Sequence, residues 1–352
     1  MKILSVLYPG GKLAKKYPNL LGCAENGLGL KDYFKSKGSS YNYVSISNRD
    51  EELCNNLIDT DILITTPFWP VYVTKERMDM AKKLKLILTA GVGSDHIDLK
   101  AAKDRNITVA EITGSNVVSV AEHAVMQILI LVRNFLPAYN QVIEKRWDIA
   151  EVASRAHDLE NKVVGILGSG RIGQRVMSRL KAFDVKLIYN DFKRLTTAEE
   201  IFYGTNFVTF NDLLKMSDII TIHCPLTPKT EKLFNKNTLY TMKKGAYLIN
   251  TARGKIVETK ALVDALESEH LAGYAGDVWY PQPAPADHPW RNMPNHGMTI
   301  HISGTTLEAQ ERYANGTKEC LECFFNGDPI DRDYLIVENG RIVSPSYSYA
   351  FD

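Results

Sequence analysis

Three short stretches of this chain carry residue types suited to holding a small anion and controlling a proton. They are Asn250-Thr251-Ala252-Arg253-Gly254, Gly276-Asp277-Val278-Trp279 with Gln282 soon after, and His301-Ile302-Ser303-Gly304. An arginine presents a fork of donors that matches a carboxylate, and a histidine changes charge near neutral pH. Taken singly, each has a plainer reading: a surface Arg, a helix-capping Asp, a core His. Each stretch closes a β-rich run, however, and ligands of open parallel sheets bind beyond the carboxyl ends of the strands. At successive strand ends, Arg253, Asp277 and His301 are expected to converge on the reacting end of a dinucleotide.

The dinucleotide itself is signalled by Gly168-Ser169-Gly170-Arg171-Ile172-Gly173. A bare G-x-G-x-x-G is weak. Here a strand pattern precedes it, a helical pattern over 174–183 follows, and a second strand ends at Asp191, at the spacing of a dinucleotide fold. Gly168 makes the tight turn, Gly170 lets the backbone approach a pyrophosphate, and Gly173 lets helix and sheet pack closely. Asp191 is placed to accept from both ribose hydroxyls and to repel a 2′-phosphate, so NAD is expected over NADP. Lys193 and Arg194 soften that preference.

These groups need a scaffold. Short β-rich runs at 61–66, 84–90, 162–168, 186–191, 219–224, 246–251 and 298–303 alternate with helical or loop segments, as in βαβ units. The reading is α/β: two Rossmann-like, doubly wound parallel-sheet domains with the active site in the cleft between them. A helix over 117–134, apolar almost all round, reads as a buried hinge and interface element. It is interrupted by Glu122, His123 and Gln127, which argues against a membrane span. A second helix over 307–325 returns the chain to its first domain. The expected boundaries are therefore 1–117 with 304–352 for the substrate domain and 118–303 for the NAD-binding domain. The stretch 196–210 offers no recognisable signal.

Composition sets limits. A chain of 352 residues favours two cores over one. With 42 Lys and Arg against 41 Asp and Glu, and no block of like charge, neither nucleic acid nor a membrane surface is an expected partner. The apolar run Ile3-Leu4-Ser5-Val6-Leu7 is too short for a secretory core and reads as a strand leading into Tyr8-Pro9-Gly10-Gly11. Five scattered cysteines suit reduced thiols in the cytoplasm. Cys320 and Cys323 form a C-x-x-C with no second pair, so they read as neighbours on a helix, and no metal site is expected.

The set G-x-G-R-I-G, NTARG, GDVW and HISG resembles the NAD-dependent D-2-hydroxyacid dehydrogenase superfamily. Within it, Thr65-Thr66-Pro67-Phe68, the run Ala90 to His96, Thr113-Gly114-Ser115-Asn116 and the run Pro281 to Trp290 resemble the metal-free, NAD-dependent formate dehydrogenases. The likeness covers nearly the whole chain. It implies a homodimer that oxidises formate to carbon dioxide. It assigns Arg253 and Asn116 to the formate carboxylate, with His301 beside it and Gln282 bonded to His301. Pro67, Phe68 and Val92 wall the pocket. Asp277 and Ser303 lie near the nicotinamide carboxamide, Arg171 and Ile172 at the pyrophosphate, and Pro225 and Thr251 along the cofactor groove; Gly304 counts among the cofactor-binding residues. His223 receives no role, and His96, His123 and His288 are read as structural.

Gln282 distinguishes formate from its rivals. A 2-hydroxy acid loses a hydride and a hydroxyl proton, so its enzyme needs a base, which a His paired with a carboxylate provides. Formate has no hydroxyl and needs no base. An amide at 282 fixes the His301 ring without adding negative charge beside an anionic substrate. The alternatives are a D-2-hydroxyacid dehydrogenase that has lost its acid and a dinucleotide-sensing corepressor, which would keep the carboxylate and carry long tails.

Overall fold

The computed structural model describes residues 1–348. In chain order its strands are β1 (Lys2–Val6), β2 (Asn42–Ile46), β3 (Ile62–Thr65), β4 (Leu86–Thr89), β5 (Thr108–Glu111), β6 (Val163–Leu167), β7 (Lys186–Asn190), β8 (Thr205–Phe207), β9 (Ile219–Ile222), β10 (Ala246–Asn250), β11 (Leu271–Gly276), β12 (His296–Met298), β13 (Leu335–Glu338) and β14 (Arg341–Ile342). The chain divides into two compact units. One is Met1–Asn116 together with the chain from Gly304 onward; the other is Val117–Ser303.

The first unit holds a 7-stranded sheet in the order β14-β13-β5-β4-β3-β1-β2. Strands β1 to β5 pair in parallel, while β13 runs antiparallel to β5 and to β14. Both faces are covered, and the side chains divide by strand alternation. Ile62, Ile64, Leu86 and Leu88 enter one core, and Leu63 and Ile87 enter the other. The helix Leu307–Asn326 belongs to this unit; it is capped by the Thr306 hydroxyl and ends where Gly327 turns left-handed at φ 75°.

The second unit holds a 7-stranded sheet, β12-β11-β10-β9-β6-β7-β8, parallel throughout. From β6 the order runs outward through β7 and β8 on one side and through β9 to β12 on the other, so the switch point lies between β6 and β9. The helix Val117–Val132 buries most of its residues in this unit, Gln127 among them, and leaves Glu122 and Met126 exposed. Among the described residues no single helix is long and apolar enough to cross a membrane.

Two expectations change. The apolar alternation at 298–303 does not make a strand: β12 ends at Met298, and residues 299–303 form a loop. The Asp277 carboxylate takes the backbone N–H groups of Ile302 and Ser303, which a neighbouring strand would otherwise receive. The stretch 196–210, which read as signal-free, forms a helix Thr197–Tyr203 with a Thr196–Glu199 capping box, a left-handed Gly204 stop, and β8.

Candidate active site

Every candidate in the second unit follows the carboxyl end of a parallel strand. After β6, Gly168 adopts φ +95°, and a Cβ there would meet the Cys224 backbone nitrogen at 2.6 Å. A Cβ on Gly173 would sit 2.1 Å from the Gly168 carbonyl oxygen, whereas one on Gly170 meets nothing within 4 Å. Two glycines thus permit close backbone packing, and the third leaves open space at the start of the helix Arg171–Leu180, as an approaching pyrophosphate requires. Arg171 is exposed at that helix start, and Ile172 packs on the adjoining core.

After β7, Asp191 accepts from the Ser169 backbone N–H (2.5 Å) and hydroxyl (3.1 Å). After β9, His223 shares a hydrogen bond with the Thr221 hydroxyl through Nε2 (2.9 Å), and burial pushes its pKa down to about 3, so the ring is neutral. Burial likewise pushes the Cys224 thiol up to about 12. The Pro225 carbonyl accepts from Thr230 at 2.7 Å, which fixes the turn.

After β10, Asn250 organises the turn that carries Arg253. Its amide nitrogen donates to the Arg253 carbonyl (2.9 Å) and its oxygen accepts from Ala252 N–H (3.0 Å). Gly254 is needed here because a Cβ would lie 2.6 Å from the Trp279 carbonyl carbon. The buried Thr251 hydroxyl has no hydrogen-bond partner among the described residues. An unfilled buried hydroxyl, the open face at Gly170 and the carboxylate at Asp191 together fit a dinucleotide.

After β11 and β12, Asp277 is fully buried, and its two oxygens accept from Thr299 Oγ1 (2.6 Å), Ile302 N–H (2.8 Å) and Ser303 N–H (2.7 Å). His123 approaches the same carboxylate at 3.9 Å, with its own pKa lowered by burial against the pull of Asp277. Gln127 donates to the Gly276 carbonyl at 3.1 Å. This cluster shapes the loop that presents His301, whose backbone is left-handed at φ 62°, an uncommon state for a residue with a Cβ. His301 Nδ1 lies 2.9 Å from Gln282 Oε1. A carbonyl oxygen only accepts, so Nδ1 carries a proton in this arrangement. Trp279 donates to the Thr299 carbonyl (2.7 Å) and packs edge-on against His288, which itself accepts from Trp290 N–H.

In the first unit the candidates follow β3, β4 and β5, three adjacent parallel strands. Gly91, at φ +143°, lies against Pro67, since a Cβ there would come within 2.9 Å of Pro67 Cδ. The Phe68 ring is held between Tyr8 and Tyr313, at 6.0 and 5.9 Å. Val92 is half-buried in the turn after Gly91. That turn rests on Glu111, a buried carboxylate that accepts from Gly93 N–H (2.9 Å) and the Ser94 hydroxyl (2.9 Å), while Tyr347 receives Ser94 N–H at 2.7 Å. Asn116 is buried with its carbonyl oxygen unpartnered among the described residues, and Gly304 lies beside it: a Cβ at 304 would fall 2.6 Å from the Asn116 amide nitrogen.

Sequence reasoning missed Glu111 and Tyr347, and it singled out the stretch that begins at Asn250 without giving Asn250 a role of its own. Glu111 carried a readable sign, an acid inside the apolar strand Thr108–Glu111. Cys320 and Cys323 lie on the helix Leu307–Asn326 as free thiols.

Residues 125–303 match the D-isomer specific 2-hydroxyacid dehydrogenase, NAD binding domain family. The formate dehydrogenase of Arabidopsis thaliana described as chloroplastic/mitochondrial is 51% identical over 348 residues, covering 98% of this chain and 90% of its own length. The chain belongs to the formate dehydrogenase family. Among solved structures, the Granulicella formate dehydrogenase superposes with a TM-score of 0.92 at 47% identity, covering 97% of this chain and 99% of that one. The NAD-dependent formate dehydrogenase of Staphylococcus aureus, determined in complex with NAD, gives a TM-score of 0.90 at 49% identity over 96% and 99% of the two chains. The family's cofactor is NAD, and the glycine cradle and Asp191 of this chain fit it.

Proposed function

We propose that the protein oxidises formate to carbon dioxide by direct hydride transfer, producing NADH. The observation that carries this reading is the 2.9 Å pairing of His301 with an amide, Gln282. A carboxylate there would raise the pKa of the imidazole and make it a base for a hydroxyl proton. Gln282 supplies no such charge, and the oxidation of formate releases no hydroxyl proton. NAD, when bound, supplies the nicotinamide carbon that accepts the hydride.

The work left to the chain is to hold a small anion in one orientation. Arg253, its backbone fixed by Asn250, grips the carboxylate with its fork of donors, and the Asn116 amide supplies another donor. His301, kept in one ring orientation by Gln282, stands beside them. Pro67, Phe68 and Val92 form an apolar wall that excludes water. Gly168, Gly170, Arg171, Ile172 and Gly173 receive the pyrophosphate, Asp191 the ribose, and Pro225 and Thr251 the groove. Ser303, Gly304 and Asp277 belong to the nicotinamide end, and Asp277 acts there by holding the loop. Pro67, Phe68, Val92, Asn116 and Gly304 fall in the substrate domain, 1–117 with 304–352, and Arg253, Gln282, His301 and the remaining cofactor residues fall in the NAD-binding domain, 118–303.

The protein works as a cytoplasmic homodimer. Support for the dimer comes from an apolar surface on the second unit formed by Phe135, Tyr139, Val142, Ile143, Trp147 and Ile149, all exposed, Trp147 to 86%. Support for the compartment comes from five cysteines that are all free thiols; cell fractionation tests it. The catalytic reading is tested by following NADH absorbance with purified protein and formate or a panel of D-2-hydroxy acids, with NADP as control. Turnover with formate and none with the hydroxy acids is expected. Turnover with a hydroxy acid alone would overturn the reading.

A further inference from the structure

The sequence around the ribose carboxylate sends two opposite signals. Asp191 repels a 2′-phosphate, but Lys193 and Arg194, two and three residues later, are the kind of cations that bind one. The structure separates them. Arg194 is clamped by Glu200 through both arms of its fork, Nε to Oε1 at 2.9 Å and Nη2 to Oε2 at 3.2 Å. Its guanidinium carbon lies 5.5 Å from the centre of the Phe207 ring, which covers one face.

Glu200 is itself anchored. It accepts from the Tyr189 hydroxyl at 2.7 Å, and that hydroxyl also receives the Leu195 backbone N–H at 2.9 Å. Tyr189 is fully buried in β7, and burial pushes its pKa up to about 12, so the hydroxyl stays a donor to Glu200. Hydrogen bonds from Arg194 and then Tyr189 hold the Glu200 carboxyl below its ordinary range. The capping box at Thr196 fixes the start of the helix that carries Glu200.

We propose that Glu200 is a determinant of dinucleotide specificity, a latch that keeps Arg194 from the 2′-phosphate of NADP. Discrimination then rests on two carboxylates with different tasks: Asp191 repels the phosphate, and Glu200 withholds its natural partner. The proposal rests on the assignment of the Gly168–Gly173 loop and Asp191 to the cofactor, and it is independent of which acid is oxidised.

The test is calorimetric titration of the full chain with NAD and with NADP, without formate. The variants are Asp191→Ser, Glu200→Gln, the double variant, and the double variant with Arg194→Met. Gln keeps a carbonyl for the Tyr189 hydroxyl while removing the charge. Adding Glu200→Gln to Asp191→Ser should tighten NADP binding by about tenfold, the scale of one charge-assisted hydrogen bond, and change NAD affinity less than about twofold. Arg194→Met should abolish the gain. No gain, or a gain that survives Arg194→Met and so belongs to Lys193, would overturn the proposal. If the Glu200 variants do not fold, Arg194→Met on Asp191→Ser alone decides. Unchanged NADP affinity supports the latch, and a loss shows that Arg194 already reaches the phosphate. Wild-type protein that binds neither dinucleotide would sink the cofactor assignment as well, whereas NAD binding without formate turnover would sink only the catalytic reading.

Discussion

Replacing the Gln282 amide by a carboxylate changes little in shape and a full unit of charge. In Gln282→Glu the new carboxylate raises the pKa of His301, so the ring titrates within the working range. As pH rises through that value the site gains net negative charge beside an anionic substrate. The expected result is a fall in kcat/KM for formate of about tenfold or more, with a limb descending toward alkaline pH. NADH formation measured from about pH 5 to 9 reads this out; a profile that overlays the wild type would refute the role given to the amide. At this scale the sequence was legible in the pairing of Gln282 with His301 and in the packing of the glycines. It was not legible at Asp277. Nothing in GDVW tells that both carboxylate oxygens turn to the backbone of 302 and 303, because the partners are main-chain groups far along the chain. The same hidden choice makes 298–303 a loop in spite of its strand-like alternation.

The glycines of the β6 turn separate packing from binding. In Gly173→Ala the new methyl would press on the Gly168 carbonyl at 2.1 Å, and backbone cannot give way as a side chain can. A loss of about 1–3 kcal/mol in stability is expected together with weakened NAD binding. Gly170→Ala has open space before it, so it should weaken NAD binding at an unchanged melting temperature. Thermal melts and NAD titrations on the pair distinguish the two roles, and equal destabilisation by both would contradict the assignment. At the other end of β6, Asp218 accepts from Val163 N–H and Lys243 Nζ, each at 2.8 Å. Partial burial pushes its carboxyl up, but Lys243 and the Val163 N–H outweigh it, and the net shift is downward. A depressed pKa means stabilisation that is present above the ordinary Asp value and lost as pH falls through the folded one. Asp218→Asn should therefore cost about 1 kcal/mol near neutral pH. The gap should narrow below about pH 4, which urea melts at the two pH values will show. Strands β1, β3, β4, β6, β7, β9 and β10 were legible from apolar runs bounded by turn residues. Two elements carried plain signals that were not read: the T-x-x-E box before Thr197–Tyr203, and the Asn339-Gly340 pair, with φ of 49° and 66°, that turns β13 into β14. Both are short, and short elements lack the periodicity on which the longer ones were recognised.

At the scale of the whole molecule, Phe135, Tyr139, Val142 and Ile143 are exposed along one helix, with exposed Trp147 and Ile149 following it. Ile143→Lys combined with Trp147→Glu places charge on this apolar surface and should halve the mass measured by light scattering, with the fold retained by circular dichroism. An unchanged mass would show that this surface does not hold two copies together. The two-sheet architecture was legible from alternating strand and helix patterns, since each βαβ unit repeats the same local rule. The antiparallel edge of the first sheet was not, because it joins segments that lie on either side of the second unit in sequence.

That edge bears on how the protein is made. On the edge away from β4, the partner of β5 is β13, with Leu335 opposite Ala110, and the whole of Val117–Ser303 is synthesised between them. During translation the second unit, contiguous in sequence, is complete before the first can be. Until residues 335–338 emerge, β5 waits with an unpaired row of backbone donors and acceptors, the kind of exposed edge that recruits strands from other chains. Nascent chains halted before Leu335 should therefore be the most dependent on chaperones. In this molecule a strand made after the second unit closes the edge of a sheet begun before it.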